Sequence, residues 1–150
     1  MERSVPGRVV ANFRLADPAG RPFSLWDYRQ RQPVVLVVWD ASSRGLLASF
    51  EARYPEYRRV GAEVLAISRE PAPEGSFPFP LLQDPDGGTI DHLSEESPAV
   101  LVLDAFGCLF TRWQGSSARV VAQEEILSWA FFTQVQCEEC GIHAEHWHPL

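Results

Sequence analysis

Six consecutive residues, Val34 to Trp39, are apolar. A strand with one wet face alternates apolar and polar side chains. An unbroken run of this length instead fits a strand covered by helices on both faces. The run feeds through Asp40-Ala41-Ser42-Ser43-Arg44-Gly45 into Leu46, Leu47, Phe50, Tyr54, Tyr57 and Val60, which recur every three or four residues as in an amphipathic helix. Gly61 closes that helix, and Pro55 inside it removes a backbone donor, so a kink is expected there. Glu63 to Ser68 is the next strand. Strand, helix and strand at this spacing make one right-handed βαβ crossover.

The flanking segments extend the sheet. Asn12 to Leu15 is a short strand that turns through Asp17-Pro18-Ala19-Gly20 into Pro22 to Leu25. A Pro-rich loop, Pro71 to Pro80, separates the crossover from the second half. There Asp84 to Gly88 is a turn and Thr89 to Leu93 a short helix, followed by a strand over Pro98 to Leu103. Asp104-Ala105-Phe106-Gly107 turns that strand into Cys108 to Trp113, a hairpin that makes the sheet mixed. A last helix spans Gln123 to Gln134, with Ile126, Leu127, Ala130 and Phe131 on one face. The expected architecture is one α/β domain over residues 1–150, helices on both faces of the sheet, with a Cys/His-rich tail from about Cys137.

Charge and residue usage narrow the function classes. Net charge is −7, and all 13 basic residues are arginines. An acidic chain lacks the clustered positive field that nucleic acid requires, so no nucleic-acid partner is expected. The absence of lysine removes Schiff-base and P-loop lysine chemistry. No segment approaches the roughly 18 apolar residues of a membrane span, and the first residues lack an apolar signal stretch, so a cytoplasmic protein with no membrane partner is expected.

The order of segments resembles the thioredoxin-like superfamily, in particular the peroxiredoxin branch of alkyl hydroperoxide reductase and thiol-specific antioxidant proteins and their redoxin relatives. The resemblance rests on Ala11 to Asp17 with Gly20, Val34 to Trp39, Gly61 to Ser68, Phe79 to Gly87, and Ser97 to Asp104 with Gly107. It spans about Gly7 to Trp129, and its specificity lies in five pieces in the right order. It implies a three-layer α/β/α sandwich, an antioxidant or thiol-disulfide oxidoreductase activity, and a protein or small thiol/disulfide as partner. It also allows a homodimer. It further implies a cis Pro98, facing Ser42 to Gly45 across a groove lined in part by Trp39.

The same resemblance places the family's catalytic cysteine after the central strand, where helix amides lower a thiol pKa. In a thioredoxin-type register the two cysteine positions are Ser43 and Leu46; in a peroxiredoxin-type register the threonine and cysteine positions are Arg44 and Leu47. None is a cysteine, and a serine hydroxyl neither ionises at neutral pH nor forms a disulfide. Classical peroxidase activity is therefore not expected. Ser42 or Ser43 is the natural cap of the following helix, and the amides there, with Arg44, are an alternative anion site. Asp40, directly after the strand, is expected to be exposed.

The remaining chemistry is in the tail. Cys137 and Cys140 have metal-ligand spacing, and His143 with His146, or His148 in place of one ligand, could complete a Zn site. Alternatively the two cysteines form a redox pair, which Glu138 and Glu139 would disfavour by raising the thiol pKa. The third reading is a cap with inert thiols. Cys108 is expected to lie in the hairpin strand as a small hydrophobe, and His92 at the surface or in a turn. Trp39, Trp113 and Trp129 are expected to fill the core or line the groove.

Overall fold

The computed structural model describes residues 3–134. A seven-stranded mixed sheet has the order β2-β1-β5-β4-β3-β6-β7, with β1 Arg14–Ala16, β2 Pro22–Ser24, β3 Val34–Val38, β4 Glu63–Ser68, β5 Leu81–Gln83, β6 Ala99–Leu103 and β7 Leu109–Gln114. Strand β3 is the pivot, parallel to β4 on one side and antiparallel to β6 on the other. The register places Val38 opposite Ile67 and Ala99, and Val34 opposite Glu63 and Leu103. The loops after β3 and β4 and the segment before β6 therefore meet at one end of the sheet. The β6–β7 hairpin turn lies at the other.

The apolar run has the predicted reason. Val35 and Val37 point into a core with Leu47, Phe50 and Tyr57 of α1 (Arg44–Arg59), Ala118 of α3 (Ser116–Val120), and Ile126 and Ala130 of α4 (Gln123–Gln134). Val34, Leu36 and Val38 point into a second core with Val10, Phe13, Leu25, and Ile90 and Leu93 of α2 (Gly88–Leu93). Each fully buried Val or Leu contributes about 2 kcal/mol by leaving water. One charge placed at Val37, which is 0% exposed, would break the packing. The Tyr57 hydroxyl donates to Gln123 Oε1 at 2.8 Å, joining α1 to α4 across the same face.

Several expectations need correction. The first strand is Arg14–Ala16 rather than Asn12 to Leu15, because Asn12 Oδ1 accepts from the Ser24 hydroxyl and the Trp26 amide. Strand β5 and helix α3 were not foreseen; each is too short for a periodic signal. On α4 the buried stripe is Ile126, Ala130 and Thr133, at i, i+4 and i+7. Phe131 falls off that stripe and is 54% exposed. Trp129 does not fill the core or a groove; it sits at the surface, its ring 6.4 Å from Phe110 and 6.1 Å from Phe132. Trp113 is half-buried against the first core.

Cys108 falls just before β7, half-buried, in an isolated bridge to Val9. His92 is half-buried in the last turn of α2. Cys137, Cys140, His143, His146 and His148 lie outside the described residues.

Candidate functional site: a serine and carboxylate hub after the central strand

The chain leaves β3 through Trp39, which is buried, and Asp40, which is half-buried. Asp40 has an extended backbone and caps a single 3-10 turn, Ala41–Ser43, that runs into α1. Its Oδ1 accepts from the Ser42 amide at 2.9 Å, and from the Ser42 and Ser43 hydroxyls. Its Oδ2 accepts from the Ser97 hydroxyl at 2.7 Å. In return, Ser43 Oγ accepts from the Asp40 amide at 2.9 Å, completing a capping box. The expected serine cap is thus replaced by an aspartate cap. Neither serine side chain caps α1, since both hydroxyls are committed to Asp40.

Asp40 is also not the exposed carboxylate that was expected. Partial burial acts to raise its pKa, but hydrogen bonds from Ser42, Ser97 and Ser43, and from the Ser42 amide, outweigh it. The carboxyl is held below its ordinary value, so it is ionised at neutral pH.

The peptide bond Ser97–Pro98 is cis, and Pro98 is buried beside the loop. Ser42, Ser43, Gly45, Leu46, Ser49, Pro98 and Arg119 line a cavity of about 260 Å³. This agrees with the expected opposition of Pro98 and the Ser42–Gly45 loop. Trp39 does not line this cavity; it lines a neighbouring one on the other side of Asp40. Of the two family registers, Ser43 and Leu46 face Pro98, whereas Leu47 is 1% exposed and packed in the α1 core.

Arg119 is the residue that sequence reasoning missed. Its guanidinium donates to the Ser42 carbonyl at 3.2 Å and to Ser42 Oγ at 2.8 Å. Arg44 is exposed and does not line the cavity, so Arg119 supplies the positive charge expected of Arg44. Arg119 arrives because Gly115 ends β7 at φ +62°, a conformation that favours glycine, while its amide donates to the Pro98 carbonyl at 2.8 Å. The Gly115-Ser116-Ser117 turn was the available signal, but nothing in the sequence indicates which loop α3 would face.

Cys108 cannot serve this site. It follows β6 at the opposite end of the sheet, and the four steps from Val38 to Val34 alone cover about 13 Å. Among the described residues no group of three or more His, Cys, Asp or Glu is placed to hold a metal ion. Among the same residues no helix is long and apolar enough to cross a membrane.

Comparison with known proteins agrees with this fold. The peroxidoxin BcpB of Mycobacterium tuberculosis superposes with a TM-score of 0.73 at 20% identity, covering 90% of this chain and 100% of that one. The bacterioferritin comigratory protein of Xanthomonas campestris gives 0.70 at 16% identity, covering 85% and 97%. A putative thiol:disulfide interchange protein DsbE of Chlorobium tepidum gives 0.66 at 18% identity, covering 85% and 99%. At these identities the likeness speaks for the thioredoxin-like fold. No curated protein matches in sequence. The sequence model of the AhpC/TSA family matches residues 6–109, more than half of the chain, and the protein therefore belongs to the AhpC/TSA family.

Proposed function

We propose that this AhpC/TSA-family chain is a binding module built on a redoxin scaffold, without cysteine peroxidase chemistry at the loop after β3. One observation carries the reading: the cavity wall opposite Pro98 is formed by Ser43 and Leu46, and the Ser43 hydroxyl is held by an ionised Asp40. A thiolate site is built to stabilise one negative charge. Here Asp40 already supplies that charge, and serine offers no sulfur to oxidise. What remains is a small cavity of mixed lining with Arg119 and Ser43 on its wall, suited to holding a hydrogen-bonding group.

Stopped-flow peroxide consumption tests this reading. The wild-type chain is expected to show no fast, saturable phase, and such a phase would sink the proposal. A second reading is favoured by the Cys137-x-x-Cys140 spacing: the thiol-disulfide chemistry of the family carried by the tail. Cys137→Ser then abolishes reductant-sensitive disulfide exchange. If the same substitution instead removes bound zinc, Cys137 and Cys140 are metal ligands alongside His143 and either His146 or His148.

A further inference from the structure

A second cavity, of about 330 Å³, lies across Asp40 from the serine cavity, at the carboxyl ends of β3 and β4. Open α/β sheets bind ligands at this edge. Its walls come from Val38 to Asp40, from Ser68 to Glu70, from α2 at Ile90 and Asp91, and from Ser94 to Ser97. Five of these residues are acidic: Asp40, Glu70, Asp91, Glu95 and Glu96. The cation in the lining is Arg69, whose guanidinium is turned away to pack against Gly87 and donate to the Asp86 carbonyl at 2.9 Å. Arg3 engages Glu95 at 3.2 Å, but both side chains are solvent-exposed and the pair is weak.

A second observation is independent of the charge. Ser94 lines this cavity, is 5% exposed, and among the described residues its hydroxyl has no hydrogen-bond partner. A buried hydroxyl left unpaired costs stability, so a ligand that pairs with it is stabilised in this cavity. A serine hydroxyl reaches a new acceptor or donor by a χ1 rotation. The carboxylates are spread over four segments rather than gathered on one point, and among the described residues they form no metal-ligating group. A ligand with several donors distributed over its length fits them better than a metal ion.

We propose that this cavity binds an organic cation, an ammonium or guanidinium group, which donates to the Glu70 and Asp91 carboxylates and to Ser94 Oγ. This goes beyond the serine cavity and does not depend on what occupies it. The cation could be a free amine or a basic side chain of a peptide.

Agmatine and a blocked Gly-Arg-Gly peptide separate those sources when titrated into the full chain, followed by NMR amide shifts. Saturable shifts confined to Ser68–Glu70 and Asp91–Ser97, weakening as salt is raised, are expected for at least one probe. Agmatine alone would identify a free amine, and the peptide a basic side chain. Glu70→Gln with Asp91→Asn should lower affinity about five- to tenfold. Ser94→Ala should weaken binding while leaving the ligand-free protein as stable as before or more so, because it removes an unpaired hydroxyl. A purely structural serine would show no loss of binding. No saturable shift with either probe overturns the proposal, as does binding indifferent to these substitutions. Shifts at Ser42–Ser49 instead would place the ligand in the other cavity and overturn it equally.

Discussion

Two aspartates each follow a buried strand, at opposite ends of one sheet, and they do different things. Asp104 follows β6, is 4% exposed, and its Oδ1 accepts from the Phe106 and Cys108 amides at 2.8 and 3.0 Å. These bonds are local and serve the hairpin turn, with Gly107 at φ +86° closing it. Asp40 follows β3, and most of its bonds come from side chains, one of them from Ser97, remote in sequence. A carboxylate satisfied by its own turn's amides is a folding device. One satisfied by hydroxyls from separate segments, with a cavity on either side, holds a site together. Among the described residues the cysteine, Cys108, belongs to the folding turn, and Ser43 belongs to the site.

The largest expected effect breaks the folding turn. Asp104→Ala orphans two backbone donors and should cost about 2–4 kcal/mol in chemical denaturation, whereas Asp40→Ala should cost about half as much or less. Equal losses would erase the distinction between the turns. Next in size is a thiol introduced at the site. In Ser43→Cys the adjacent carboxylate opposes thiolate formation, so alkylation should titrate above the usual cysteine range. Adding Asp40→Asn should lower that midpoint by ~1 pH unit or more. No change between the two variants would mean that Asp40 is not the charge governing this loop.

Acid unfolding gives a smaller contrast. The folded pKa of Asp40 is depressed, so its ionised form favours the folded state. That contribution is present above the unfolded value of about 3.9 and is lost as pH falls from there through the lower folded pKa. Asp40→Asn should flatten the stability curve in that acid window and leave its shape near neutrality unchanged. Arg119→Ala should have the least effect on stability, since Arg119 is exposed. In the Ser43→Cys background, however, it should raise the thiol midpoint further, by removing the nearby cation.

The residues explain why the fold was legible and the site only partly so. The Val34–Val38 run and the α1 periodicity each carry a local signal, and the Pro98 position follows from the family resemblance; all three fall as expected. The absence of cysteine from the Asp40–Gly45 loop was visible directly. The Asp40 hub was not, because its Ser97 partner is 57 residues away, and polar contacts at that separation leave no periodic trace. Arg119 was missed for the same reason, being 77 residues from Ser42. Its approach depends on a turn after β7 that is too short to read.

That turn has a consequence for how such a protein can change over generations. Arg119 belongs to a five-residue surface helix attached to the sheet through Gly115. Recharging the exposed positions of α3 would give the cavity a different wall, while Ala118, buried in the first core, keeps the helix in place. Ligand preference in this lineage can therefore drift one surface substitution at a time, on a scaffold that has no need to refold to accommodate it.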